Sequence, residues 1–262
     1  MGAWDATAPS TRRLHLVCVP HAGGTATHYA GWSRWLPADV RPVPVDLPGS
    51  GTRRREQPIA RWSDLVADLV DRIADAVAGP YVLFGHSLGA LVAYELARCL
   101  HARGNPPVLL LVAAWNGPAA APSHRPLHAL PDPQLMRALD RLGGTPTAVL
   151  REPGLMRAYL PRLRTELRLA ETHVRAPGPP LGCPIAAFVG RRDRITDVTG
   201  AVAWHQETTG LFDLTVVDGQ HFFLDRPEFA SAVVARLRRL LDGLPAQLPG
   251  ERHSTGQKSG SA

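Results

Sequence analysis

Ser87 stands in the run Gly85-His86-Ser87-Leu88-Gly89, directly behind the apolar stretch Tyr81-Val82-Leu83-Phe84. A strand that enters a tight Gly-x-Ser-x-Gly turn and leaves as a helix puts the serine on a strained corner, its hydroxyl projecting above a sheet as a nucleophile. The following residues fit this reading: Leu88, Leu91, Val92, Glu95 and Leu96 recur at helical spacing, and the small Ala90, Ala93 and Ala97 let such a helix pack closely on a sheet. A serine hydroxyl is a poor nucleophile at neutral pH. A base must take its proton, and a third group must hold that base in one tautomer.

Where this turn carries catalysis, the chain order is nucleophile, acid, histidine, so the base is sought downstream. His221 ends Asp218-Gly219-Gln220-His221, behind the strand-like Leu214 to Val217 and ahead of Phe222-Phe223-Leu224, which places it on a loop just past a strand. His205 falls in a helical stretch, and His101, His124, His128 and His173 lie at a helix end or in a helical insertion, where most read as surface residues. For the acid, Asp193 follows the strand-like Ile185 to Val189 through Gly190-Arg191-Arg192 and reaches the same rim. Asp197 is its main rival and Asp218 a weaker one; either also suits a helix cap or a turn. Attack on an acyl carbonyl creates an oxyanion that backbone amides stabilise. Leu88, next to the nucleophile, supplies one such amide, and Ala22, in Pro20-His21-Ala22-Gly23-Gly24 behind the strand-like Leu14 to Val19, supplies the second. His21 reads as structural, because the base is already assigned.

These residues need a scaffold that brings strand ends together. Strand-like runs occur at Leu14 to Val19, Val43 to Asp46, Tyr81 to Phe84, Val108 to Ala113, Ile185 to Val189 and Leu214 to Val217, with helical segments between most of them. The clearest helix runs from Trp62 to Val77, with Leu65, Leu69 and Ile73 in one stripe and Asp64, Asp68, Asp71 and Asp75 on the polar side. This alternation predicts an α/β architecture with a mostly parallel sheet covered on both faces and the site at the strands' carboxyl ends. Residues 117–180 break it with helical pieces at Gln134 to Leu142, Gly154 to Tyr159 and Leu160 to Thr172, and are predicted to form a lid. One domain is expected over 13–244, with flexible termini at 1–12 and 245–262.

Composition excludes little but narrows the setting. Of 262 residues, 29 are Lys or Arg and 23 Asp or Glu, a net charge of +6 carried by scattered arginines with a single lysine at Lys258. No basic and aromatic stripe accompanies that charge, so no nucleic-acid partner is expected. The Arg53 to Arg55 run suits either an acidic protein or phosphate partner or, more simply, a solvated loop. Cys18, Cys99 and Cys183 lie in or beside apolar runs without metal-type spacing and read as buried free thiols; no metal is expected. Neither a signal peptide nor a membrane span is legible, which predicts a cytoplasmic protein.

Together these segments resemble the type II thioesterases that accompany modular polyketide synthases and nonribosomal peptide synthetases, over about Leu16 to Leu241. The resemblance is carried by Pro20-His21-Ala22-Gly23-Gly24 with Tyr29, Trp32 and Leu36-Pro37, by Gly85 to Ala90 continuing through Ala93 to Ala97, by Leu142-Gly143-Gly144-Thr145-Pro146 and Leu160-Pro161-Arg162-Leu163-Arg164, and by Cys183-Pro184-Ile185 and Gly219-Gln220-His221-Phe222-Phe223. It implies an α/β-hydrolase fold with a helical lid and hydrolysis of stalled or mis-primed acyl groups from the phosphopantetheine arm of carrier proteins. The implied partner is an acyl or peptidyl carrier protein, met transiently by a monomer, in antibiotic-type biosynthesis. No cofactor is expected beyond the phosphopantetheine that the substrate itself carries. The chain departs from the family pattern at Ser50 to Glu56, at Ala113-Ala114-Trp115-Asn116-Gly117-Pro118 and at Arg164-Thr165-Glu166, where acyl-chain or carrier selection would be set. A carboxylesterase for small oxygen esters and a non-catalytic carrier-binding module are the alternatives.

Overall fold

The computed structural model describes residues 13–77, 79–120, 125–145 and 147–243. The predicted terminal segments and His124 lie outside them. Six strands form one sheet: β1 (Leu14–Val19), β2 (Val40–Pro44), β3 (Tyr81–His86), β4 (Leu109–Ala113), β5 (Ile185–Gly190) and β6 (Phe212–Val217). Their order across the sheet is β2-β1-β3-β4-β5-β6, and every neighbouring pair is parallel. This is the architecture of an α/β-hydrolase core, as the alternation of apolar runs and helices predicts.

Alternate residues of the central strands serve two different cores, because successive side chains on a strand point to opposite faces. On one face Val17, Leu83, Leu110 and Val112 pack under α1 (Trp62–Ala76), whose Leu65, Leu69 and Ile73 stripe is buried as predicted, and under α2 (Leu88–Ala102). On the other, Leu16, Val82, Phe84 and Leu111 meet Trp32 together with Phe229, Val233 and Leu237 of the last helix, Pro227–Gly243. Strands buried on both faces need such continuous apolar runs.

β2 begins three residues earlier than predicted and ends before Asp46. Pro42 and Pro44 hide it in sequence, yet β2 is an edge strand, where a missing N–H is tolerated. Between β4 and β5 the chain adds α3 (Asp132–Leu142), α4 (Thr147–Leu150) and α5 (Pro153–Glu171). The two helical pieces predicted at 154–172 are one helix that runs through Pro161. An interior proline costs roughly 3 kcal/mol. Met156, Leu160 and Leu163 of α5 are buried in a separate cluster with Leu135, Leu139 and Leu150, and at about 1.5–3 kcal/mol for each side chain their burial outweighs the break.

Cys18 and Cys183 are buried free thiols and Cys99 is half-buried. Arg53 corrects both readings of the basic run. It is buried, bonded to Asp68 through Nη1 at 2.7 Å and Nη2 at 2.8 Å and to Glu56 through Nη2 at 2.5 Å, and thus joins its loop to α1; only Arg54 and Arg55 of that run are exposed.

Candidate active site

Ser87 sits at the junction of β3 and α2 with φ 56°, ψ −120°, a left-handed conformation that a serine adopts only under constraint. The constraint is visible on both sides. The Ser87 amide donates to the Ala113 carbonyl of β4 at 2.8 Å, and Gly89 lies so close to β1 that a Cβ there would stand 2.2 Å from the Val19 carbonyl oxygen. Close approach of α2 to the sheet is what the glycine after the nucleophile provides.

The loop between β6 and the last helix brings in His221, and the loop after β5 brings in Asp193. The histidine's Nε2 is 3.1 Å from Ser87 Oγ, and its Nδ1 is 2.9 Å from Asp193 Oδ2 and 3.1 Å from Oδ1. With Nδ1–H donating to the carboxylate, Nε2 is left as the acceptor for the serine hydroxyl. Burial alone would push the Asp193 carboxyl up, but hydrogen bonds from His221, the Thr196 hydroxyl and the Ile195 amide hold it below the usual carboxylate range. It therefore stays ionised and fixes the imidazole. The rivals are engaged elsewhere: Asp197 caps α6 (Val198–Val202) by accepting from the Gly200 amide at 2.7 Å, and Asp218 pairs with Arg192 at 2.9 Å.

His86, which sequence reasoning passed over, completes the frame. It is fully buried at the end of β3, and its Nε2–H donates to the His221 carbonyl at 2.9 Å, pinning the backbone of His221. Its Nδ1 has no partner among the described residues. Burial, reinforced by nearby His221, pushes its pKa down to about 3, so it is neutral. Two of the histidines passed over as bases are engaged elsewhere: His173 is bonded to Glu95 at 2.8 Å and His128 to Glu171 at 2.6 Å. The His173 side chain is nearly covered rather than at the surface.

Above the serine is a largely apolar chamber. Ala22 and His21 line it from the β1 side, Leu139, Leu142, Tyr159 and Leu163 from the insertion, and Phe222 from the histidine's loop. Neither the Ala22 nor the Leu88 amide has a hydrogen-bond acceptor among the described residues. His21 is buried against His28, His86 and Phe222, and desolvation drives its pKa well below the ordinary imidazole value. It is uncharged, which fits the structural reading.

The backbone that carries Ala22 is held by a device absent from the sequence reading. Glu166 of α5 accepts the Gly23 amide on Oε2 at 2.5 Å, and Arg162, one turn earlier, donates to the Gly23 carbonyl at 2.9 Å and to Glu166 Oε1 at 3.0 Å. Gly23 has φ +81°, and a Cβ on it would fall 1.9 Å from the Tyr159 hydroxyl, so only glycine admits the helix this closely. Glu166 is nearly fully buried, and burial raises its pKa against the pull of Arg162. In sequence the pair shows only as an i, i+4 Arg–Glu spacing, which usually marks an exposed helix face.

The three departures from the family pattern thus separate. Trp115 lines the chamber, Glu166 holds the loop beside it, and Arg53 is in the α1 network away from both.

Comparison with known proteins matches residues 14–241 to the Thioesterase domain family. The gramicidin S biosynthesis protein GrsT of Aneurinibacillus migulanus is 33% identical over 221 residues, covering 84% of this chain and 86% of GrsT. Among solved structures, RedJ, a thioesterase from the prodiginine biosynthetic pathway in Streptomyces coelicolor, superposes with a TM-score of 0.79 at 36% identity, over 90% of each chain. The type II thioesterase BorB from the borrelidin biosynthetic cluster gives 0.78 at 35% identity, over 88% of this chain and 94% of its own. A match that runs from the first strand through the last helix leaves the chain in one place: it belongs to the thioesterase family, whose chemistry is the hydrolysis of acyl thioesters.

Proposed function

We propose that this chain is a type II editing thioesterase that removes stalled or aberrant acyl groups from the phosphopantetheine arm of carrier proteins in polyketide or nonribosomal peptide biosynthesis. The observation that carries the chemistry is the hydrogen-bonded line Ser87–His221–Asp193 beneath an apolar chamber. The relatives' pathways support the substrate class.

In the proposed mechanism His221 Nε2 takes the Ser87 proton as Oγ attacks the thioester carbonyl, and the Ala22 and Leu88 amides receive the oxyanion. Collapse breaks the C–S bond, and the imidazolium passes its proton to the departing thiol. A water, deprotonated by the same nitrogen, then attacks the acyl-serine, the imidazolium returns that proton to Ser87 Oγ as the C–O bond breaks, and the acid leaves. Asp193 keeps its charge throughout and stabilises the imidazolium. The chain needs no metal or cofactor of its own for these steps. Residues 117–180 act as the lid, the carrier is met transiently by a monomer, and the protein works in the cytoplasm. Among the described residues no helix is long and apolar enough to cross a membrane.

A carrier protein loaded with a short acyl group, followed by intact-protein mass spectrometry, tests the reading. Release from the carrier is expected to outpace cleavage of a small oxygen ester of the same acid. Rapid ester cleavage with the acyl-carrier untouched would make the chain a carboxylesterase instead, and binding without turnover of either would make it a carrier-binding module.

Arg162 and Glu166 act in this scheme as positioning residues, through the backbone of Gly23. Glu166→Ala is expected to lower kcat by about 10- to 100-fold, the range for a roughly 1 Å misplacement near reacting groups, with a much smaller change in KM. Glu166→Gln, which keeps an acceptor for the Gly23 amide, should recover part of the loss. A change confined to KM would show that the pair serves binding rather than the oxyanion loop.

A further inference from the structure

A second depression, of about 460 Å³, lies beside the chamber of Ser87. Leu127, Leu142 and Ile195 line both, so a wall one side chain thick separates them. That wall includes the acid's own loop, since the Ile195 amide donates to Asp193 Oδ1 at 2.8 Å. Around the outer depression stand Arg125, Arg137, Arg141 and Arg194, and no carboxylate is among its lining residues. Arg137, Arg141 and Arg194 have no Asp or Glu within ion-pair distance among the described residues. Two other arginines of the insertion are matched, Arg162 with Glu166 and Arg164 with Asp132.

Guanidinium groups such as those of Arg137, Arg141 and Arg194, which line one groove without an ion pair among the described residues, repel one another, and an anion between them removes that repulsion while gaining charge-assisted, often bidentate hydrogen bonds. The sequence of surfaces is a cationic rim, a side-chain amide at Gln134, an apolar wall and then the nucleophile. An acyl-phosphopantetheine has the same order of groups, from phosphate through amides to thioester. We propose that this groove binds the phosphodiester of the carrier-bound arm, with Arg137, Arg141 and Arg194 as its ligands, and that the arm reaches Ser87 past Leu142 and Ile195. The proposal rests on the thioesterase reading for its substrate, and its test separates the two.

The probes are one short acyl group carried on 4′-phosphopantetheine and on pantetheine, which differ only by the phosphate. Wild type is expected to favour the phosphorylated substrate by about 10- to 100-fold in kcat/KM, the range for a few hydrogen bonds to a charged group. In Arg137→Ala/Arg141→Ala/Arg194→Ala that ratio should collapse toward one, and the corresponding triple lysine variant should restore part of it. No preference in wild type, or a ratio unchanged in the triple alanine variant, overturns the proposal. Calorimetric binding of the two unacylated arms to Ser87→Ala reads the groove independently of turnover. If wild type cleaves neither thioester but the phosphorylated arm still binds more tightly by an arginine-dependent margin, the thioesterase reading fails and the groove stands.

Discussion

Ser87→Ala is expected to lower turnover of an acyl-carrier thioester by about 10⁶-fold, the scale measured when the nucleophile of such a triad is removed. The reason lies in what survives. His221 and Asp193 keep their 2.9 Å bond and the Ala22 and Leu88 backbone stays in place, but attack must now come from a water in place of a hydroxyl fixed 3.1 Å from His221 Nε2. The fold should be unaffected, because among the described residues the Ser87 hydroxyl's one partner is His221, and alanine suffers the same backbone conformation at φ 56° as serine does. Peptide mass spectrometry supplies the direct check: wild type caught early in turnover should carry the acyl mass on the peptide containing Ser87, and the variant should carry none. Release in the variant within about tenfold of wild type would remove the covalent mechanism.

The second large effect falls on the acid. Asp193→Asn is expected to cost about 10⁴-fold in turnover, as in other triads where an amide replaces the carboxylate and leaves the histidine in the wrong tautomer. An Asn at this position offers N–H toward His221 Nδ1, so the ring proton moves to Nε2 and the serine loses its base. Asp197→Asn is the matched control. Asp197 caps α6 through the Gly200 amide, and asparagine caps about as well as aspartate, so activity and thermal midpoint should both hold. Equal, mild losses in the two variants would place the acid elsewhere.

How much of this was legible in the sequence follows from how local each signal is. Ser87, Asp193 and His221 each lie just past an apolar strand, so chain order and strand position put them together as candidates, and the structure brings all three into one hydrogen-bonded line. Asp197 remained a rival because a capping aspartate and a catalytic one look alike four residues apart. The strand at Val40–Pro44 was misplaced because its prolines obey an edge-strand rule, and edges are properties of the whole sheet. Arg53 read as one of three loop arginines because its partner Asp68 lies on a helix 15 residues away. His86 and the Arg162–Glu166 pair were invisible for the same reason at longer range: their partners are backbone atoms of His221 and Gly23, and no side-chain pattern announces a bond to a distant peptide group.

The bond between Gly23 and Glu166 joins residues 143 positions apart, and the one between Ser87 and His221 joins residues 134 apart. Long-range contacts of this kind close only after the intervening chain exists. On the ribosome, the loop of Ala22 and the turn of Ser87 emerge well before α5 and the histidine, so a nascent chain presents its serine with neither a base nor a fixed oxyanion loop. On the proposed mechanism, a chain that ends before His221 cannot deprotonate Ser87 and is inert toward thioesters, so hydrolysis waits until the segment carrying His221 has been made and docked.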